Sequence, residues 1–394
     1  MTDQHTGTMD SADIFAAVEA LLPEIRERAA ETAALRKLPA DLADALRSAG
    51  AFRLPMPAAW GGPEMSLPDQ IRVIEMISAA DPATGWCVMI GSDAGFYSAF
   101  LDDDAALELW PDLDMVTAGW LMPAGQAKRV DGGYLVNGRW SFGSGCNHAD
   151  VLVGGCIVVD ADGAMEMGEH GMPVTRTMMA SANRWTIHDT WYTTGLAGSG
   201  SNDYSCTDLF VPERHTFAIT DPVRRDGPLY RMNGAFFANL HGVPLGLARR
   251  AIDEVIAMAK TKVLMPQMVM MSDVPRVREA IADAETRLRS ARAYAYGTLD
   301  RVWAALVAGE PIDDQLRADL SLSRVHCVHM AKDVAIDMVQ LAGTQAIYST
   351  SVLDRLVRDA ITMSQHVVAG PVIKEMAGGL AMGIAPAGLL AALL

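Results

Sequence analysis

The 394-residue chain carries only five cysteines, Cys87, Cys146, Cys156, Cys206 and Cys327, none of them in a C-x-x-C pair. An odd, scattered set supplies no disulfide framework and suits a reducing compartment, so a cytoplasmic protein is expected. Positive charge is scarce as well: 32 Lys and Arg stand against 48 Asp and Glu, a net charge of -16. That balance repels nucleic-acid phosphates and anionic lipid surfaces, and leaves a small molecule as the expected partner. Charged residues make up 20% of the chain while 50% are hydrophobic. Disorder is thereby excluded, and the length allows two or three packed domains.

Several motifs are missing too. There is no P-loop, no G-x-S-x-G elbow and no Rossmann glycine fingerprint after a strand, so the common nucleotide folds have no support. The histidines offer one close pair, His326 and His329, which reads as structural, and no metal site is expected. The stretch Met1–Asp13 is polar and acidic, without the basic and apolar runs of a signal peptide. Met376–Leu394 carries no charge and is long enough to span a bilayer. Its glycines and Pro386 interrupt it and no basic cluster follows, so a terminal helix or tail buried against a neighbouring subunit is expected rather than a membrane anchor.

What is present falls into three textures. From Asp10 to Trp110 apolar residues recur at helical spacing, with a helix between Pro39 and Gly50, another opened by Ser66 and Pro68 and closed by Asp81-Pro82, and a more apolar one running to about Phe100. Between Met115 and Phe217 short β-type runs are divided by Asp131-Gly132, Asn137-Gly138 and Asp162-Gly163, which read as turns. From Tyr230 onward long helical segments return, at 242–262, 274–308, 313–341 and 349–364, suited to a four-helix bundle. The expected domains are thus 1–112, helical; 113–222, β; and 223–394, a helical bundle.

One β-segment bears chemistry. Gly138 through Gly145 reads Gly-Arg-Trp-Ser-Phe-Gly-Ser-Gly, and strand alternation would put Phe142 and Ser144 on one face. A ring beside a hydroxyl suits a flat heteroaromatic cofactor, one for stacking and one for a hydrogen bond to a ring nitrogen. A half-buried strand ending in a Gly-Ser turn fits the same pattern.

This segment resembles the flavin-binding strand of the acyl-CoA dehydrogenase superfamily, and in this form is similar to its monooxygenase branch, often called group D. Leu54–Gly62 (Leu-Pro-Met-Pro-Ala-Ala-Trp-Gly-Gly), the glycine-rich turn Trp191–Ser201, the bundle opening Gly246–Ala251, and the late segments Gln340–Gly343 and Asp354–Ala360 resemble further signatures of that superfamily. The resemblance spans nearly the whole chain. It implies an α+β protein with an N-terminal helical domain, a central β-barrel-like domain and a C-terminal four-helix bundle, usually assembled as a homotetramer. It further implies that Phe142 stacks near the isoalloxazine and that Ser144 faces flavin N5. Trp120, Trp191, Ser199, Gly200 and Ser201 would lie beside the flavin.

Two departures favour the monooxygenase branch over the dehydrogenases. The dehydrogenases mostly place a catalytic Glu shortly after the Arg-Asp-Ala signature, where this chain reads Ile361 to Val368 without a Glu and with His366 near the spot. The Arg-x-x-Phe-Gly motif that helps hold FAD tightly is absent around Thr261–Met270, compatible with flavin, FMN or FAD, that binds and leaves as a substrate. The resemblance then implies a two-component enzyme: a separate NAD(P)H:flavin reductase supplies reduced flavin, O2 yields a C4a-hydroperoxyflavin, and a small aromatic substrate is hydroxylated. His366, with an ordinary pKa near ~6.5, would steer proton transfer, and Ser92 or Asp93 would face the substrate in place of a family histidine missing there. Oxygenation at nitrogen or sulfur, a dehydrogenase with Glu254 as displaced base, and a flavin-free scaffold are the alternatives.

Overall fold

The computed structural model describes residues 9–168 and 171–386. The N-terminal layer holds α1 (Ser11–Leu35), α2 (Ala40–Ser48), α3 (Leu67–Ala80), α4 (Pro82–Gly91), α5 (Ala94–Ser98) and α6 (Asp103–Leu109). Local chemistry sets their ends. Asp10 accepts from the backbone N–H of Ala12 and Asp13, and Asp13 returns the bond to the Asp10 N–H, a reciprocal capping box. Asp81 ends α3 in extended geometry, as a residue before proline prefers, and its carboxylate then caps α4 through Thr84.

The apolar helix expected to run to Phe100 is broken instead: α4 stops at Gly91 and α5 begins at Ala94. The second helix presses against the Leu54–Gly62 turn so closely that a Cβ on Gly95 would lie 2.2 Å from the Pro55 carbonyl oxygen. The break leaves Asp93 at the junction, with only 5% of its surface exposed.

The middle of the chain forms β1 (Thr117–Val130), β2 (Gly133–Gly143), β3 (Val151–Val159), β4 (Thr175–Ser181), β5 (Thr186–His188), β6 (Asn202–Pro212) and β7 (Thr216–Phe217). They make one mixed sheet in the order β5-β6-β2-β1-β3-β4-β7, with β1 and β3 parallel. Asp131-Gly132 turns the β1–β2 hairpin as expected. Asn137-Gly138 does not turn; it sits mid-strand at a register shift against β6, where the Asn137 amide pairs with Asp208, itself at φ 47. A hairpin-like dipeptide has been used for a bulge. Trp140, fully buried, stacks on Tyr204 at 5.6 Å between ring centroids and anchors the sheet's inner face.

The bundle contains α7 (Gly242–Ala259), α8 (Pro275–Ala308), α9 (Asp314–Ala342), α10 (Val352–Met363) and α11 (Pro371–Ala381), the first four close to the expected segments. A small hairpin, β8 (Val263–Leu264) with β9 (Val269–Met270), joins α7 to α8 and was not foreseen. Helix α7 packs on α3 as well as on α9, so the N-terminal layer and the bundle share one large core. Among the described residues no helix is long and apolar enough to cross a membrane. The uncharged stretch from Met376 begins in α11, and residues 387–394 lie outside the described part.

Candidate active site

The Phe142–Ser144 pair is brought together, though not by strand alternation. Strand β2 loses register with β6 between Trp140 and Gly143, and Phe142 takes φ 63, a left-handed conformation rare for an aromatic residue. The kink leaves Phe142 52% exposed and Ser144 6% exposed. Both nevertheless line one cavity of about 620 Å³, together with Trp86, Trp120, Trp191, Thr193, Thr194, Ser201, Gln365 and His366. Backbone strain of this kind persists where surrounding structure imposes it, often at a working site.

Hydrogen bonds fix what Ser144 can do. Ser199 Oγ donates to the Leu196 carbonyl at 2.7 Å, Ser199 and Ser201 hydroxyls are 2.7 Å apart, and Ser201 and Ser144 hydroxyls are also 2.7 Å apart. Trp86 Nε1 donates to Ser144 Oγ at 3.0 Å. A carbonyl only accepts and each hydroxyl has one hydrogen. The donors must therefore run Ser144 to Ser201 to Ser199 to Leu196. Ser144 is left with one lone pair and no hydrogen to offer, so it presents the cavity with an acceptor.

The turn Trp191–Ser201 is held from both sides. Trp191 Nε1 donates to the Leu196 carbonyl at 3.0 Å, and the Leu196 N–H donates to Asp359 Oδ1 of α10 at 2.6 Å. Gly200 sits at φ 54, and a Cβ there would lie 2.7 Å from Asn147 Nδ2, so only glycine suits the position. Ser199 and Gly200 stand behind the wall and shape it, whereas Ser201 lines it. The rings of Trp120 and Phe142 are 5.1 Å apart at their centroids, and Trp191 meets Phe142 edge-on at 6.3 Å.

His366 lies beyond the end of α10, as the cap of the 367–369 turn, where its Nδ1 accepts from the Val368 N–H at 3.4 Å. Its neutral form thus carries the proton on Nε2, for which the described residues provide no hydrogen-bond partner. The ring packs edge-on to Trp86 at 5.5 Å. Burial, with the Arg324 cation nearby, pushes its pKa down to about 4, which corrects the expectation of a group titrating near neutrality.

A second chamber of about 120 Å³ adjoins the first, lined by Met89, Asp93, Tyr97, Leu121, Phe236 and Leu240 among others. Ile90, Gly119, Trp120, His366 and Val367 line both. Asp93 is thus placed at the smaller chamber, but Ser92 is not. Ser92 is wholly buried, its hydroxyl 3.4 Å from the Met89 carbonyl, and it lines neither space. Trp86 and Gln365 were missed from the sequence; Trp86 sits in a uniformly apolar helix whose pattern carries no sign of a hydrogen-bonded indole. Glu254 is ion-paired to Arg250 at 2.8 Å and lines neither chamber, so it is not placed as a displaced dehydrogenase base. Among the described residues no cluster could hold a metal ion.

Residues 2–101 match the acyl-CoA dehydrogenase N-terminal domain and residues 240–371 the acyl-CoA dehydrogenase C-terminal domain. The chain is 34% identical to indole-3-acetate monooxygenase of Pseudomonas putida over 375 residues, 94% of each chain. The chain belongs to the flavin-dependent monooxygenases of the acyl-CoA dehydrogenase fold. This monooxygenase is also 30% identical to the oxygenase subunit HsaA of Rhodococcus jostii, covering 90% of this chain and 94% of that one. Its structure matches the crystal structure of HsaA from M. tuberculosis with a TM-score of 0.87 at 26% identity, over 98% of this chain and 100% of that one. A Streptomyces protein crystallised with FADH2, 23% identical, shares the fold at a TM-score of 0.87 and covers 96% of this chain and 97% of that one.

The walls fit a flavin. Their volume lies within the range of about 300–1,000 Å³ typical of ligand sites, with aromatic planes and a few fixed polar groups. The acceptor lone pair of Ser144 is the complement of a ring N–H.

Proposed function

We propose that this monooxygenase hydroxylates a small aromatic compound, using reduced flavin delivered by a separate reductase. The observation that carries it is the pair of adjoining chambers: a large aromatic-walled one with a fixed acceptor at Ser144, and a smaller, mostly apolar one that shares Trp120 and His366 as walls. Reduced flavin, when bound, supplies two electrons to O2, so that one oxygen atom enters the substrate and the other leaves as water.

The protein's own tasks follow from position. Ser144 accepts from flavin N5–H and so holds that proton in place. Phe142, Trp120 and Trp191 exclude water from the flavin face, which suppresses wasteful release of hydrogen peroxide. His366, neutral at physiological pH, offers Nε2 at the junction of the chambers, where it can exchange a proton with the substrate. Thr193, Thr194 and Gln365 supply polar contacts around the larger space. The same reading assigns a homotetramer to the assembled enzyme.

The test is direct. The protein is loaded anaerobically with reduced FMN or FAD, exposed to oxygen with a panel of one- and two-ring aromatics, and assayed for product and peroxide. Hydroxylated product with little peroxide supports the reading. Flavin that reoxidises as it does in buffer, with every substrate unchanged, overturns it.

A further inference from the structure

Strand β1 does not run straight past the site. Its parallel pairing with β3 keeps register from Thr117/Val151 to Trp120/Gly154 and resumes at Pro123/Gly155, so Leu121 and Met122 have no counterpart in β3. In a regular strand successive side chains point to opposite faces. Here Trp120, Leu121 and Met122, consecutive in sequence, all border the smaller chamber, and Trp120 borders the larger one as well. The bulge is what puts Trp120 in the walls of both.

A bulge leaves ladder groups without their usual partners, and buried backbone groups need replacements. Two side chains supply them. The Tyr204 hydroxyl accepts from the Trp120 N–H at 2.8 Å and donates to the Val153 carbonyl, so it stands between β1 and β3 as a one-atom spacer. Its single hydrogen is committed to Val153, and it meets Trp120 only as an acceptor. Trp140 Nε1 donates to the Gly155 carbonyl at 2.7 Å, on the other side of the bulge. Tyr204 and Trp140 lie opposite each other on β6 and β2 and stack at 5.6 Å, while Trp185 meets the Tyr204 ring edge-on at 5.6 Å. Tyr204 is fully buried and lines neither chamber.

We propose that Tyr204 is a positioning residue for Trp120: its hydroxyl, set between the Trp120 N–H and the Val153 carbonyl, holds the β1 bulge open and the indole in the wall shared by the two chambers. The proposal rests on the flavin-oxygenase reading and gives a side chain outside both chambers control over how well the flavin face is shielded. Without the hydroxyl, the Trp120 N–H and the Val153 carbonyl either stay unpaired or close on each other. In the first case the bulge loosens, in the second β1 draws toward β3, and in both Trp120 leaves its place 5.1 Å from the Phe142 ring.

Tyr204→Phe removes the hydroxyl and keeps the ring that Trp140 and Trp185 hold. Flavin-free protein labelled with 5-fluorotryptophan would report the indoles by fluorine NMR, the Trp120 resonance being assigned from Trp120→Phe. That resonance should move or broaden in Tyr204→Phe and stay in place in Trp185→Phe, which disturbs the same aromatic layer but makes no bond to the bulge. Reduced FMN would then be bound anaerobically and exposed to oxygen without an aromatic substrate. Tyr204→Phe should release peroxide severalfold faster than wild type at little changed reduced-FMN affinity, and Trp185→Phe should match wild type. Should the phenylalanine variant not fold, 4-fluorophenylalanine in place of Tyr204 fills the hydroxyl's space without donating, and the same two measurements apply. An unmoved Trp120 resonance, unchanged peroxide release, or a rise shared equally by Trp185→Phe overturns the proposal. If wild type itself releases peroxide as fast as free reduced FMN, the wider functional reading fails instead, and the fluorine signal alone decides what holds Trp120.

Discussion

The backbone N–H of Leu196 donates to the Asp359 carboxylate at 2.6 Å across 163 positions of sequence, which ties the turn bearing Trp191 and Ser201 to the helix that leads to His366. This bond, together with the Arg358 guanidinium donating to the Thr194 carbonyl, ties the two walls of the larger cavity to each other. Asp359→Ala should lower reduced-flavin affinity by about tenfold, since a buried N–H is left unpaired. Equilibrium dialysis or fluorescence titration would measure it, and an unchanged affinity would mean that the turn is held elsewhere.

The same carboxyl makes a pH prediction. Burial, with Asp81 nearby, raises the Asp359 pKa to about 7. A group whose folded pKa lies above its unfolded one gives its full stabilisation at low pH and loses it as pH rises through the folded value. The window runs from the ordinary value of 3.8 to about 7. Asp359→Asn, which still accepts from Leu196, has no such loss. Its melting temperature relative to wild type should therefore be higher by a few degrees at pH 8 than at pH 5, as scanning calorimetry can show.

His366 should behave as a neutral imidazole across the working range. With its pKa at about 4, product formation should stay level as pH falls from neutrality through the ordinary imidazole value of ~6.5 and decline only on approach to the lower value. Replacement by Asn should cut product formation by about 10²-fold, the usual scale of a lost acid–base group, with flavin affinity kept within a few-fold. An acid limb centred near the ordinary value in wild type would show that the imidazole is solvated.

Ser144→Ala removes the acceptor and strands the Trp86 indole N–H. The fraction of reduced flavin that yields product should fall severalfold, with peroxide rising in step, while the amount of flavin oxidised stays similar. A peroxide assay alongside product quantification distinguishes this from simple loss of binding.

Gly200→Ala should cost about 1–3 kcal/mol of stability, because φ 54 is strained for alanine and the new Cβ would meet Asn147. Denaturant titration would register it as a lower midpoint with an unchanged slope.

Much of this was legible in the sequence. The boundaries at Ser66 and Asp81 and the long bundle periodicities write themselves, because those signals are local. The residues Phe142, Ser144, Trp120, Trp191, Ser201, Asp93 and His366 line one or both of the adjoining chambers. What could not be read was set by contacts distant in sequence. The break after Gly91 depends on the Pro55 carbonyl, the Asn137-Gly138 bulge on Asp208, and the depressed His366 pKa on burial and Arg324. The resemblance offers Ser92 as well as Asp93 in place of a missing family histidine, yet in the turn between α4 and α5 Ser92 is wholly buried and lines neither chamber.

The larger cavity draws its walls from α4, β1, β2, the Trp191–Ser201 turn and the segment after α10. No one of these elements makes the cavity alone, so flavin affinity requires α10 docked on the rest, and bound flavin should raise the melting temperature in proportion to the logarithm of its free concentration. A cell short of reduced flavin would then hold this protein in its least protected form, and cofactor supply would set its lifetime as well as its turnover.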